Sequence, residues 1–444
     1  MEAKSLKYLL LVGCIALIVL AVLVNSTSSN VSIGTFGVNN GQITLLSEHF
    51  NPSVILRRIG GTDHLSIHML RSLIANYDID SINYSVDEVH YDEVNDIILN
   101  DSGEKGFLPY DLLNRYSDTR EYRQHSEGSI IISVYNHRTG EVIYIDLEEY
   151  LVGVVFSEMP ASFEIESLKA QAVAARSYTI YKMVNLREEE RVLHNGAVVC
   201  TNFAHCQAHI TFEEAMAIHL GDEGNDNTSC AISQEKLQQR MENFKYFWNR
   251  VREAVFATAG EIITYGDAPA IAVFHAMSGD MTESAKHVWN HAVPYLIAVP
   301  TMEADNRCRV RNFQTEVRLT FEEFKAILNS GGFGADLPRN PRHWIEYVSR
   351  NPAGRVGYIM IYGDVISGVQ FRELFALRST DFTLELTEDG IFVFTVRGHG
   401  HGVGMSQYGA NLMAQAGKTY IEILKWYYTG VQIRSADKFL SRDP

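Results

Sequence analysis

The sequence predicts an α+β fold, with mixed β-strands and helices forming one grooved domain after an N-terminal membrane anchor. Three observations predict it. The stretch "SIIISVYNHRTGEVIYIDLEEYLVGVV" has two β-rich runs around a turn at Thr139-Gly140 and reads as a hairpin. Residues 162–184 and 405–428 carry helical spacing, the second stretch split at Gly417. Strand-like segments at 261–265, 270–274, 355–363 and 382–396 follow without a βαβ rhythm, which favours α+β over a doubly wound sheet.

From the N-terminus, Lys4 and Lys7 precede "YLLLVGCIALIVLAVLV", Tyr8 to Val24, an apolar run of 17 residues followed by "NSTSSN". That length reaches the lower limit of a membrane helix and exceeds the core of a signal peptide. Lysines on the near side keep the tip cytoplasmic and the remainder outside. An uncleaved single-pass anchor is the reading; a cleaved signal is the competing one. Residues 1–30 are then tip and anchor, 31–125 an acidic extracytoplasmic spacer, and 126–435 the main domain. Within that domain 210–250 (helical, polar) and 301–350 (turn-rich) read as insertions. The 444 residues suffice for a sizeable core, and a net charge of −16 argues against a nucleic-acid partner but not against a neutral sugar.

"GVVFSEMPASFEIESLKAQAVAARSY" sets Glu158 against a Met-Pro step before a helical run. Because proline is tolerated only at a helix start, Glu158 is expected at or just outside that N-terminus, with Ser162 as a candidate cap. Lys169, Val173, Arg176 and Ile180 are spaced four, three and four, so they share one face. Two cations on an apolar stripe suit a face lining the same groove as Glu158. Ordinary capping and a solvated basic stripe explain the same spacing.

"VFHAMSGDMTESAKHVW" offers His275, Ser278 and Thr282 as polar groove residues, or as turn and cap residues. In "RGHGHGVGMSQYGANLMAQAG" four glycines alternate around His399 and His401, then a helix starts near Ser406. Such a loop can wrap a ligand, with Ser406, Gln407 and Tyr408 at the helix mouth, or form a tight turn under packed strands. A hydrolase elbow at Ser406 fails, since Tyr408 stands where glycine is needed. Finally, "HNGAVVCTNFAHCQAH" gathers His194, Cys200, His205 and Cys206, a donor set that suits tetrahedral zinc, with His209 as a spare. A Cys200–Cys206 disulfide competes, and an exported chain favours it. The metalloprotease H-E-x-x-H is absent.

Together these stretches resemble the stage II sporulation protein D family over roughly residues 128–435, "FALRSTDF" included. The resemblance implies a lytic transglycosylase that cleaves between N-acetylmuramic acid and N-acetylglucosamine in denuded peptidoglycan during forespore engulfment. It also implies a single-pass protein of the mother-cell membrane facing the engulfment space, working with sporulation stage II proteins P and M. Glu158 stands at the position of the family's catalytic acid, and Arg176 matches a residue associated with activity. His194, Cys200, His205 and Cys206 look like the zinc set of clostridial members, which points to a structural ion. Lys169, His275, Ser278, Thr282, His399, His401, Ser406, Gln407 and Tyr408 are the expected substrate contacts. Two departures are the long connection 210–250 and Asp280-Met281 where glycine is frequent.

One marked acid fits this chemistry. Hydrolytic glycosidases generally need two carboxylates, whereas attack by the substrate's own 6-hydroxyl requires one group acting first as acid and then as base. That role needs a raised pKa, so the nearby cations must not sit against Glu158. Competing readings are a non-catalytic wall-binding scaffold that recruits partner enzymes, and a zinc hydrolase centred on 194–209.

Overall fold

The computed structural model describes residues 33–39, 42–48, 129–220, 234–334 and 336–440. Both the expected anchor and most of the expected spacer lie outside these residues. No helix among the described residues is long and apolar enough to cross a membrane. The chain divides into two compact units, Met1–Val86 and Asp87–Pro444. In the first, β1 (Ile33–Asn39) pairs antiparallel with β2 (Gln42–Glu48).

The second unit mixes helices with short sheets, as the α+β expectation requires. It opens with the expected hairpin, β3 (Ile131–Asn136) against β4 (Glu141–Asp146), turning through Gly140 at φ +76°. The second β-rich run stops at Asp146, and "LEEYLVGVVFSE" forms α1 (Leu147–Glu158). Its Val and Phe residues suit a strand, but the Asp146 carboxylate caps the N–H groups of Glu148 and Glu149 at 2.9 and 3.2 Å. Proline sets the other end: a residue before Pro avoids helical angles, and Met159 is extended at φ −131°, ψ 142°. Glu158 is therefore the last residue of α1, not the herald of the next helix.

That next helix, α2 (Ile165–Asn185), starts at Glu164 rather than Ser162. It is buried on nearly every side from Ser167 to Ile180, so Val173, Arg176 and Ile180 of the stripe face the core, while Lys169 keeps partial solvent contact. Small residues in "KAQAVAARS" allow close packing all round, and Ser177 and Thr179 return their hydroxyls to the carbonyls of Val173 and Ala175. Next come α3 (Glu188–Leu193) and β5 (Val199–Cys200), which adds parallel to β3. The segment read as an insertion supplies α4 (Phe212–Leu220) and α5 (Gln234–Phe256). Phe244 and Trp248 of α5 pack their rings on Phe156 of α1, joining the first core.

Then β6 (Glu261–Tyr265), β7 (Ala268–Pro269) and β8 (Phe274–His275) lead to α6 (Ala285–Trp289). A separate aromatic core follows. It lies among β9 (Gln314–Thr320), α7 (Phe321–Ser330), β10 (Ile345–Arg350), β11 (Val356–Ile361), β12 (Asp364–Ser367), α8 (Gly368–Leu374), β13 (Phe382–Leu386) and β14 (Ile391–Arg397). The turn-rich stretch 301–350 thus contributes β9, α7 and β10 to this core. The chain ends through β15 (Met405–Ser406), parallel to β8, then α9 (Gln407–Gln415), α10 (Tyr420–Tyr427), β16 (Gln432–Ser435) and α11 (Asp437–Leu440). Helices α9 and α10, split at Gly417 as expected, pack with α2 in a second core.

Candidate active site around Glu158

Three distant segments converge on Glu158. The end of α1 supplies the acid. The segment after the His/Cys cluster brings the Ala208 N–H to Oε1 at 2.8 Å, and the start of α9 brings the Gln407 amide to Oε2 at 3.2 Å. Close approach of the first segment depends on Gly153: a Cβ there would lie 2.3 Å from the Ile210 carbonyl oxygen and 2.7 Å from His209 Nε2.

Glu158 keeps partial solvent access, yet burial of its carboxyl pushes its pKa from 4.5 to about 7. The Ala208 and Gln407 donors pull the other way and do not cancel burial. Placement at a helix C-terminus, where the dipole is negative, also favours the neutral acid. No carboxylate or cation among the described residues contributes to the shift, so the group can both donate and accept a proton near neutrality.

Arg176 does not share this site. It is fully buried, its guanidinium gripping Glu148 through Nε (2.8 Å) and Nη2 (2.5 Å) and donating to the carbonyls of Glu261 and Val255, both at 3.1 Å. Lys169 pairs with Glu166 at 2.8 Å, and Glu166 also accepts the Tyr420 N–H. Neither cation lowers the acid's pKa.

The other expected substrate contacts separate into two groups. His275, Ser278, Thr282 and Ser406 are buried and engaged with one another or with backbone. His275 donates from Nδ1 to the Val403 carbonyl at 3.1 Å and accepts the Ser278 hydroxyl at Nε2 at 2.6 Å, a tautomer consistent with burial holding it neutral. Glu303 accepts the Ser278 N–H at 3.1 Å and, in a short bond, the Ser406 hydroxyl. Thr282 exchanges hydrogen bonds with Val299. Arg355, buried over Gly402, donates to Ser278 Oγ and the Met281 carbonyl, compensated by the charges of Asp381, Glu283 and Glu303. The glycine-rich loop is thus a tight turn over this network, and Gly404 (φ +73°) brings its Cα to where a Cβ would lie 2.0 Å from the Val273 oxygen.

Gln407 and Tyr408 belong to the Glu158 side. Tyr408 is partly exposed, and its ring meets Phe163 edge-on at 5.0 Å. His399 and His401 are partly exposed, and burial of their rings lowers their pKa to about 3 and about 4. His399 meets Arg378 at 3.3 Å, while His401 accepts the Val403 N–H at 3.0 Å and lies tilted against the Trp289 ring at 5.3 Å. Ala208, Glu303 and Arg355 escaped the sequence reading. A backbone donor carries no residue signature, and the other two lie in stretches without a motif.

His194, Cys200, His205 and Cys206 do come together, with one donor atom from each within 4.8 Å of the rest. Cys206 Sγ lies 3.5 Å from both His194 Nε2 and His205 Nδ1, and Cys200 Sγ 3.7 Å from His205 Nδ1. The cysteines are not joined in a disulfide. Sulfur-to-nitrogen separations of 3.5 to 3.7 Å would suit a tetrahedral ion, while His194 Nε2 and His205 Nδ1 lie closer, at 2.8 Å, and four protein donors would leave no position for a reacting water. The four side chains could hold such an ion. His209 is not part of it: buried and held neutral, it stacks on Tyr150 at 4.9 Å.

The stage II sporulation protein family matches residues 135–265, a span holding α1, α2 and the His/Cys cluster. Stage II sporulation protein D of Bacillus subtilis is 34% identical over 313 residues, covering 70% of this chain and 81% of its own. The protein of the same name from Bacillus amyloliquefaciens is 33% identical over 71% of this chain and 82% of its own. The Bacillus subtilis amidase enhancer is 25% identical over 64% of this chain but only 40% of its own length. On the extent of the two sporulation proteins' match, the chain belongs to the stage II sporulation protein D family.

Proposed function

We propose that this chain is a sporulation protein acting on the cell wall as a lytic transglycosylase, with Glu158 as its single acid and base. The observation that carries the reading is a carboxyl group poised near pH 7, with two donors on its oxygens and no second carboxylate acting on it among the described residues. Protonated Glu158 gives its proton to the glycosidic oxygen as the bond from the anomeric carbon to that oxygen breaks. The substrate's 6-hydroxyl oxygen bonds to the anomeric carbon, and its proton returns to the Glu158 carboxylate. No water is consumed, and the acid is regenerated. Between the two steps the Ala208 N–H and Gln407 amide stabilise the carboxylate charge. Zinc held by His194, Cys200, His205 and Cys206 would cross-link the segment leading to Ala208. The expected anchor at Tyr8–Val24 would place this chemistry at the mother-cell membrane, with proteins P and M as partners.

The test is digestion of denuded glycan by the full chain and by Glu158→Gln. The expected result is 1,6-anhydro ends that disappear in the variant. Reducing ends in their place would indicate hydrolysis, and glycan binding without product from the wild type would indicate a scaffold. Either result overturns the reading.

A further inference from the structure

We propose that Arg250 of α5 is a positioning residue for Glu158, an inference that rests on the reading of Glu158 as the acid. Glu158 ends α1 and is followed by an irregular connection, Met159 to Glu164, before α2 begins. This connection sets where the acid points, because the helix no longer restrains the chain beyond it. Arg250 reaches across from α5 and grips two of its carbonyls, Ala161 through Nε at 3.1 Å and Phe163 through Nη2 at 2.6 Å. Two donors on one planar edge fix both carbonyls relative to each other, which a lysine's single ammonium cannot do.

The same connection is also held by α9. Asn411 Oδ1 accepts the Glu164 N–H at 2.8 Å, and Tyr408 meets the Phe163 ring. Next to those residues, Gln407 donates to Glu158 itself. Arg250 therefore holds the same connection as the element that supplies a donor to the acid. Its charge contributes nothing to the raised pKa of Glu158, so the clamp orients the carboxyl without ionising it. Most of helix α5, Arg250 included, lies in the 210–250 stretch read as an insertion. The structure gives that stretch a direct hold on the loop that follows Glu158.

The experiment uses the full chain and compares Arg250→Ala, Arg250→Lys and, as a control on the same helix, Met241→Ala, buried in the first core nine residues or about 13.5 Å before Arg250. On denuded glycan, both Arg250 variants are expected to lose about 10- to 100-fold in kcat, the scale of an ångström-sized misplacement, with KM changed far less. The alkaline limb of the kcat profile should move to lower pH as water reaches the acid. Amide exchange at Phe163 and Glu164, protected by Pro160 and Asn411, should quicken in both variants. Faster exchange with unchanged kcat would overturn the proposal. So would an equal loss of kcat, per folded molecule, in Met241→Ala. If Glu158→Gln stays active, the reading of Glu158 fails instead, and the exchange data still report whether Arg250 clamps the connection.

Discussion

Arg176 and Glu158 act at opposite ends of one helix. Arg176 closes its guanidinium on Glu148 in the first turn of α1, while Glu158 ends its last turn, ten residues or about 15 Å further along. The cation expected in the groove instead ties α1 to α2, and through the carbonyls of Val255 and Glu261 to the end of α5 and the start of β6.

Arg176→Lys is therefore expected to cost stability, not chemistry. The lysine keeps the charge but cannot meet Glu148 and two carbonyls together. Breaking a buried pair costs about 3 kcal/mol, moderated here because Glu148 retains some solvent contact. Denaturant titration should show the loss, while kcat per folded molecule is retained. A folded variant without activity would return Arg176 to the reaction.

Glu158 predicts a specific pH dependence of stability. Its folded pKa, about 7, lies above its ordinary 4.5, so the native state binds more protons than the unfolded state between those values. Stability of the wild type should then fall as pH rises through that window and stay reduced above it. Glu158→Gln, which does not titrate, should gain on the wild type from pH 4.5 to 7 by at most on the order of 3 kcal/mol. Parallel stability curves for the two proteins would show that the acid is not raised.

Gln407→Leu removes one of the two donors to the carboxylate. The neutral acid is then favoured further, so the alkaline limb of the rate should shift to higher pH. The maximum rate should fall about 10- to 100-fold, the worth of a hydrogen bond to a charged group. A rate profile unmoved in both respects would place Gln407 outside the chemistry.

Much of this was legible in the sequence, for reasons that local physics supplies. The β3–β4 hairpin announces itself by β-branched runs around Thr139-Gly140, and α9–α10 by helical spacing broken at Gly417. Helix α1 does not, because Leu, Val and Phe are as apt for a buried strand; its fate is set by the Asp146 cap and by Pro160. At the site, Glu158, Gln407 and the His/Cys cluster sit in recognisable motifs. What spacing could not show is which way the Lys169–Arg176 stripe faces. That depends on Glu148, 28 residues away, and on helices packed around α2 from segments as distant as 147–158 and 407–427.

The His/Cys cluster gives the last prediction. If His194, Cys200, His205 and Cys206 hold zinc, the purified full chain should carry about one ion, and Cys206→Ser should lose it. Binding to the native state alone stabilises by about 4 kcal/mol when free metal exceeds Kd a thousandfold, so chelation should lower Tm in the wild type and leave Cys206→Ser unmoved. Ala208 follows Cys206 by two residues, and its N–H rests on Glu158 at 2.8 Å. Metal removal should therefore quicken amide exchange at Ala208, whether or not turnover is measured. A metal-free chain with unchanged Tm and exchange would reduce the cluster to two thiols and two imidazoles packed together, and leave Gln207, bonded to Tyr150 and Thr179, as the anchor of that segment.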